Sequence, residues 1–578
     1  MCPGARTGKA GDREGGAAST ALRNAGMPPF HSNGYGFMSI ESGGSDLSLP
    51  RILIAGLRGS GGKTLVSVGL AAVLRDRGWA VAPFKKGADY IDAAWLAAAA
   101  GRPCRNLDLF MLSEDVAAKS FVRAATAGEI SVIEGNRGLY DGMDARGTYS
   151  TAALAKLLDA PVVLVCDCTK TTRTLAAMVL GCMHFDPDLK IRGVILNRVA
   201  GRRHEKGLRA AVESSCGLTV LGAIPKLKED PFPERHLGLV PPQETAEVPA
   251  AVTAAGRVAD RYIDIDAIEK IAREAAPWSK GLAEAGSEES SAASSVTPAG
   301  GRKTAEVSGP ARGAASGAAG APAPGKSAAS RSSVSPGASA KPGAPKTSRA
   351  GSRAPQRDPV ATRVRIGIFR DEAFQFYYPE NLEALESEGA VLVEASPLKD
   401  RALPDLDAVY IGGGFPEVYA ERLSENAAFR GAVADAVEAG TPVYAECAGA
   451  VYLGKSLVMG DSTYPMTGAL PVVYGFGPKP QWHGYAIVEV SGENPYFDVG
   501  DSFRGHEFHY SRVLDVDERK LSFAFRVGRG YGVDGKRDGI CRKNALATYC
   551  HVHALGATAW ARSLVRAGET HRQKARSR

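Results

Sequence analysis

The chain has 578 residues, with 70 Lys+Arg against 63 Asp+Glu, a formal charge of +7 and 44% apolar residues. At roughly 100 to 200 residues per domain, that length predicts several domains in place of a single compact core. No apolar run approaches the roughly 20 residues of a membrane span, so a helical membrane protein is excluded as well.

Residues 1–49 are rich in Gly, Ala and Ser and lack the apolar centre of a secretion signal, which predicts a disordered leader and a cytoplasmic protein; Met38 competes with Met1 as the start. The nine cysteines are scattered without an even ladder of spacings, as suits a reducing compartment. Cys166 and Cys168 fall in the strand-like run Pro161 to Asp167 and read as core filling.

From 50 to 278, short β-branched runs alternate with helical stretches: Arg51–Gly56, Trp79–Pro83, Ile130–Glu134, Pro161–Val165 and Ile191–Leu196. Continuous apolar strands of this kind predict a parallel sheet covered on both faces. Between Trp278 and Phe369 there is no aromatic residue, and Ala, Gly, Ser and Pro dominate. Residues 279–361 therefore read as a disordered linker, because such a composition buries too little apolar surface to offset chain entropy. Residues 301–360 carry ten basic and two acidic side chains, a net of +8, so the rest of the chain sums to −1. The basic character belongs to the linker and identifies neither nucleic acid nor membrane as a partner. The strand pattern resumes with Val364–Phe369, Ala390–Glu394, Ala408–Ile411 and Pro442–Ala445, predicting a second α/β domain over 362–565 and a flexible tail over 566–578.

The strand at 51–56 runs into Gly56-Leu57-Arg58-Gly59-Ser60-Gly61-Gly62-Lys63-Thr64 and then a helix. Strand, glycine loop and helix form the setting of a nucleotide phosphate site. Gly56, Gly59, Ser60, Gly61 and Gly62 let backbone N–H groups turn towards phosphates, Lys63 reaches the β/γ oxygens, and the Thr64 hydroxyl can sit on magnesium. Asp89 and Asp92 follow the second strand, and Glu134 and Asp141 follow the third. Loops leaving the carboxyl ends of parallel strands line the ligand crevice. Asp89 and Glu134, with Thr64, are accordingly the candidate metal ligands, while Asp92 and Asp141 can equally cap helices.

In the second domain, Tyr444-Ala445-Glu446-Cys447-Ala448-Gly449 puts a cysteine where an apolar strand breaks into a helix. A thiol at such an elbow is exposed, and helix-start N–H groups favour its thiolate. Gly413 and Gly414, in Gly412-Gly413-Gly414-Phe415-Pro416-Glu417, can join the Ala448 N–H in binding an oxyanion. Near the C-terminus, Ala547 to His553 alternates so that His551 and His553 share one face of a strand. One can take the Cys447 proton while the other orients it, which describes a cysteine-dependent glutaminase. Arg504 to Ser511, which includes Glu507 and His509, is dense in polar side chains without a role set by spacing.

Together, the phosphate loop, Lys85–Asp92, Glu134–Gly142, Pro233–Leu239, Tyr378–Leu382, Gly412–Glu417, Ala445–Cys447 and Arg504–Ser511 resemble the cobyrinic acid a,c-diamide synthase family, in order over both domains. The resemblance implies a dethiobiotin-synthetase-like P-loop domain joined to a triad-type (class I) glutamine amidotransferase domain. It implies a ligase that forms carbon–nitrogen bonds with glutamine as nitrogen donor, using ATP and Mg2+. The a and c carboxylates of cobyrinate would be amidated through acyl phosphates in cobalamin biosynthesis. Cys447 would then be the nucleophile, His551 its activator, and His553 would stand at the third triad position. Lys63, Thr64, Asp89 and Glu134 would handle ATP and magnesium, with Asp92 and Asp141 near the substrate. A homodimer is left open.

Two departures stand out. Ala448 occupies a position that is usually glycine in the family, and Arg58 replaces a small hydroxyl residue and coincides with the signature lysine of partitioning ATPases. Hydrogenobyrinate and nickel-sirohydrochlorin diamide synthases share these motifs. A rival of another class is a partitioning-type ATPase carrying an inactive amidotransferase domain.

Overall fold

A computed structural model describes residues 47–235, 238–278 and 363–577. The expected linker lies outside the described residues, as do the leader up to residue 46 and His236 and Leu237 of the 233–239 motif. The described residues before and after the linker belong to one compact unit.

Seven strands build the first sheet: β1 (Arg51–Gly56), β2 (Val81–Lys86), β3 (Arg105–Leu107), β4 (Ile130–Glu134), β5 (Val162–Asp167), β6 (Ile191–Val199) and β7 (Val220–Pro225). They lie in the order β3-β2-β4-β1-β5-β6-β7, every pair parallel. Side chains alternate across the pleat, so Ile52 and Ile54 of β1 enter one apolar layer with Leu65, Val66 and Leu70, while Leu53 and Ala55 enter the other with Leu154 and Leu164. Each fully buried aliphatic side chain contributes about 1.5–3 kcal/mol over an exposed one. Helix α1 (Lys63–Asp76) follows β1, and α2 (Tyr90–Ala100) follows β2.

Arg51 is fully buried at the amino end of β1, where apolar strands rarely carry charge. Its guanidinium donates to the carbonyls of Leu158, Leu49, Asp159 and Ala276 at 2.7–3.2 Å. Trp278 lies 5.9 Å away and donates its own N–H to Leu47. Leu47 and Trp278, the two ends of this described stretch, are thus bonded to each other.

The second sheet has nine strands, in the spatial order Val391–Ala395, Arg365–Phe369, Ala408–Ile411, Val443–Glu446, Ala545–Thr548, Arg537–Arg542, Ser522–Arg529, Trp482–Val490 and Ser502–His509. The first five are parallel and the rest antiparallel. The α/β class matches the sequence reading; the antiparallel wing adds to it.

Three local expectations are corrected. β2 continues through Lys85 and Lys86, which are buried strand residues and not part of the following loop. The strand carrying the late histidines ends at Thr548, so His551 and His553 do not share a strand face; His551 forms a single bridge with His506. Residues 566–576 are not a loose tail but continue the helix Ala559–Arg576, with Gly568 packed against Val364 and Ala408. Among the described residues, no helix is long and apolar enough to cross a membrane.

Candidate active site

Because β2, β4 and β1 are neighbours, their carboxyl ends bring the phosphate loop, Lys85 and Glu134 together; Lys85 is in register with Glu134, and Glu134 with Ile54. Gly62 adopts φ 92 beside Asn197, whose Nδ2 would lie 2.0 Å from an added Cβ, so only glycine fits. Asn197 donates to the Gly61 carbonyl at 3.0 Å and Arg198 to that of Ser60 at 3.1 Å. These two contacts from the end of β6 hold the loop. Arg58 pairs with Asp167 at 2.5 Å and is 68% exposed.

Lys63 is buried and curls over the loop, donating to the carbonyls of Arg137 (2.8 Å) and Arg58 (3.3 Å). Burial lowers its ammonium from the ordinary value against the pull of Glu134. Thr64 donates to Glu134 Oε1 at 2.9 Å. Lys85 lies among three carboxylates: Asp92 at 2.6 Å, Glu134 at 2.9 Å and Asp89 at 4.0 Å. Burial disfavours the Lys85 charge, but Asp92 and Glu134 overcome this and raise its pKa. Asp89 caps α2 by accepting from the Asp92 N–H at 3.0 Å. Asp141 accepts from the Gly138 N–H at 2.8 Å, closing its own loop, and has no direct contact with Asp92 among the described bonds.

Glu134 Oε2 is buried without a hydrogen-bond partner among the described residues, next to the Thr64 hydroxyl. Asp89 uses Oδ1 as the cap and keeps Oδ2 towards Lys85. Among the described residues, no cluster of three His, Cys, Asp or Glu could hold a metal alone. Magnesium is bound by few protein oxygens together with phosphate and water. Thr64, Glu134 and Asp89 therefore fit such an ion as part of a shared shell.

The second centre also arises from adjacent parallel strands. Val443–Glu446 lies between Ala408–Ile411, which leads into Gly412–Gly414, and Ala545–Thr548, which leads to His551. Cys447 sits at the elbow with φ 48 and ψ −99, and the helix Ala448–Leu453 starts immediately after it. A non-glycine residue in that region is strained, as in other nucleophile elbows. An added Cβ on Gly449 would lie 2.6 Å from the Ile411 carbonyl, so the turn needs that glycine. Ala448 opens the helix, so its N–H has no intrahelical acceptor. Gly413 and Gly414 pair with Phe376 and Phe374, and Gly413 lies directly against the His551 ring.

His551 is 2% exposed, and its Nδ1 lies 3.4 Å from Glu446 Oε2. Glu446 also accepts from the Val552 N–H at 3.1 Å and the Tyr410 hydroxyl at 3.2 Å. Burial opposes a charge on His551, but hydrogen bonds to Cys447 and Glu446 prevail and raise its pKa to about 10. The place beside His551 expected for His553 is thus taken by Glu446. His553 faces Glu380 at 3.8 Å instead, its pKa pushed down to about 3 by burial and by Arg105. Asn381 fixes this segment through the Val552 carbonyl (3.0 Å) and the Ala554 N–H (2.7 Å).

Sequence reasoning missed Glu446, Lys85, Asn197, His506 and Asn381. Glu446 alone left a local signal, a glutamate closing a buried strand beside the thiol. Glu507 and His509 lie below the elbow: Glu507 accepts from the Tyr531 and Gly532 N–H groups, and His509 stacks on Tyr549 at 3.7 Å.

The two centres meet across an aromatic and ionic seam. Phe110 stacks on Tyr485 at 4.2 Å, and the Tyr485 hydroxyl donates to Asp108 at 2.8 Å. Arg105 pairs with Glu383 at 2.5 Å and approaches Glu380 at 3.8 Å.

Two family models match the chain: a CobQ/CobB/MinD/ParA nucleotide binding domain over residues 52–239 and a CobB/CobQ-like glutamine amidotransferase domain over residues 365–559. The chain is similar to the cobyrinate a,c-diamide synthase of Magnetococcus marinus, with 40% identity over 519 residues, covering 90% of this chain and 97% of the relative. Its counterpart in Archaeoglobus fulgidus is 36% identical over 521 residues, covering 90% and 98%. That of Methanothermobacter thermautotrophicus is 36% identical over 524 residues, covering 89% and 99%.

Proposed function

The chain belongs to the cobyrinate a,c-diamide synthase family, and on that premise we propose that it amidates the a and c carboxylates of cobyrinate with glutamine nitrogen at the expense of ATP. The observation that carries this reading is the pairing of a strained thiol beside the Glu446-paired His551 with a phosphate loop in the same compact unit.

The imidazolium of His551 favours the Cys447 thiolate, which attacks the glutamine amide carbon. Backbone donors at Ala448 and the 413–414 loop stabilise the oxyanion. The C–N bond breaks as His551 hands its proton to the departing nitrogen, and water later hydrolyses the thioester to glutamate. Glu446 orients His551 and balances its charge. In the other centre a substrate carboxylate oxygen attacks the γ-phosphorus and ADP leaves. Ammonia then attacks the acyl carbon, phosphate departs, and the new amide sheds a proton. Lys63 steadies the phosphate oxygens; magnesium held by Thr64, Glu134 and Asp89 would neutralise charge on the transferred group. Asp92, anchored to Lys85, lines the substrate side, with Asp141 supporting the facing loop.

Mass spectrometry of cobyrinate incubated with the protein, Mg2+, ATP and glutamine tests the proposal. Two added amides are expected; ATP hydrolysis without an amide product, or amidation of hydrogenobyrinate or nickel-sirohydrochlorin in preference, would refute it.

A further inference from the structure

One side chain reaches from the nucleotide centre to the thiol centre. Tyr90 is the first residue of α2, directly after the cap Asp89 and two positions before Asp92, so its backbone is set by the carboxylates around Lys85. Its ring leaves that cluster and lies parallel to Phe376, 5.0 Å away with planes 4° apart, and against Tyr378 at 4.5 Å. It lies 5.6 Å from both His506 and His551. Behind it two imidazoles continue the wall. His506 stacks on His551 at 4.7 Å, and the Tyr378 hydroxyl is 3.4 Å from His506 Nδ1. Phosphate and thiol chemistry leave Tyr90 without a task.

We propose that Tyr90 is the gate between the two centres: its ring closes the passage that ammonia must take from Cys447 to the acyl phosphate, and it opens when ligands rearrange the loop before α2. This inference rests on the amidation reading above.

The wall has the right chemistry for such a passage. Ammonia attacks only through its free lone pair, so water and acidic groups along its path would trap it as ammonium. Burial holds the phenol of Tyr378 well above its ordinary range and pushes the His506 imidazole well below its own. At neutral pH neither of these two is an acid able to protonate ammonia. The wall also has a lever. Lys85 holds Asp92 and Glu134, and Asn106 ties the carbonyls of Gly87 and Asp89 at 2.8 and 3.0 Å. A phosphate or carboxylate that competes for Lys85 loosens Asp92 and shifts the start of α2, and the Tyr90 ring moves with it.

The full-length protein, Tyr90→Phe, Tyr90→Ala and Phe376→Ala are compared by counting glutamate released and amide formed in the same reaction, then with ammonium chloride replacing glutamine. Wild type and Tyr90→Phe are expected to release about one glutamate per amide, and Tyr90→Ala about threefold more. Glutamine hydrolysis by Tyr90→Ala should no longer depend on ATP and cobyrinate, while its ammonia-driven amidation stays within about twofold of wild type. A ratio near one in Tyr90→Ala overturns the gate. So does loss of its ammonia-driven amidation at an unchanged melting temperature, which would place Tyr90 in the substrate site. If Tyr90→Ala does not fold, Phe376→Ala decides: uncoupling supports the gate and a ratio near one overturns it. Wild type that forms no amide from either nitrogen source would instead refute the amidation reading.

Discussion

Replacing Gly413 by alanine probes the thiol centre without removing any polar group. The new Cβ would stand 2.5 Å from Cε1 and 3.3 Å from Nε2 of His551, whereas ordinary contact begins at 3.4 Å. The backbone is the stiffer partner. Gly413 is paired with Phe376, and the neighbouring Gly412 N–H donates to the Tyr377 hydroxyl at 2.8 Å, which is itself bonded to the Phe369 carbonyl. The imidazole must therefore retreat by about 1 Å, a displacement that can cost about 10²-fold in rate, or about 2.7 kcal/mol of transition-state stabilisation. The N–H at 413 survives, so the loss would come from the ring and not from the oxyanion donors. Steady-state assays should show kcat/KM for glutamine falling about 100-fold while ammonia-driven amidation stays within about twofold of wild type. Glutamine turnover within about threefold of wild type, or an equal loss with ammonia, would refute this account of how the loop and His551 fit together.

Cys447→Ser should abolish glutamine-dependent amidation and spare the ammonia-dependent reaction; loss of both would mean the thiol is misassigned. Glu446→Gln should lower the titration midpoint of His551, read from its ring proton resonances, and an unchanged midpoint would remove Glu446 from its orienting role. Because the folded His551 pKa of about 10 lies above the ordinary value of 6.5, its contribution to stability is complete below about pH 6.5 and is lost as pH rises through 10. Melting temperature should accordingly fall across that window, and fall less in Glu446→Gln. Glu380 shows the opposite case: burial raises its carboxyl to about 7 despite Arg105, so ionising it weakens the fold as pH climbs from about 4.5 to 7. Glu380→Gln should gain about 1–3 kcal/mol at pH 8 in denaturant unfolding, and no gain would show that Arg105 fully compensates the charge.

What the chain announces in advance is what is contiguous. Residues 56–64 carry their own strand, turn and helix start, and Ala445-Glu446-Cys447-Ala448 carries its own elbow, so neither needs a partner from elsewhere to be read. Alternation does not place His553, because the strand ends at Thr548 and Asn381 shapes the backbone beyond it. Glu446 was overlooked for a related reason: its value as the partner of His551 comes from two neighbouring parallel strands that lie about a hundred positions apart. Asp89 and Asp92 were visible as carboxylates, but their arrangement depends on Lys85 lying in β2, which is a matter of where that strand stops. The antiparallel wing is half exposed along its length, and its strands lack the continuous apolar runs that mark the parallel ones. Tyr90 is conspicuous only once its ring is seen against Phe376, Tyr378 and His551, which lie hundreds of positions away.

The bonding of Arg51 has a consequence for how this architecture can be cut and joined. Arg51 and Trp278 fasten the last described residues before the connection to the amino edge of the first sheet, and Arg363 and Arg365 enter the second sheet at its amino edge. Both candidate centres lie at carboxyl edges. Insertions, deletions or a break between 279 and 362 therefore begin and end on the non-catalytic side, while the seam of Arg105, Glu383, Asp108 and Tyr485 holds the halves together independently of the peptide joining them. The described chain ends that flank the connection thus lie at the edges of the two sheets away from the candidate centres.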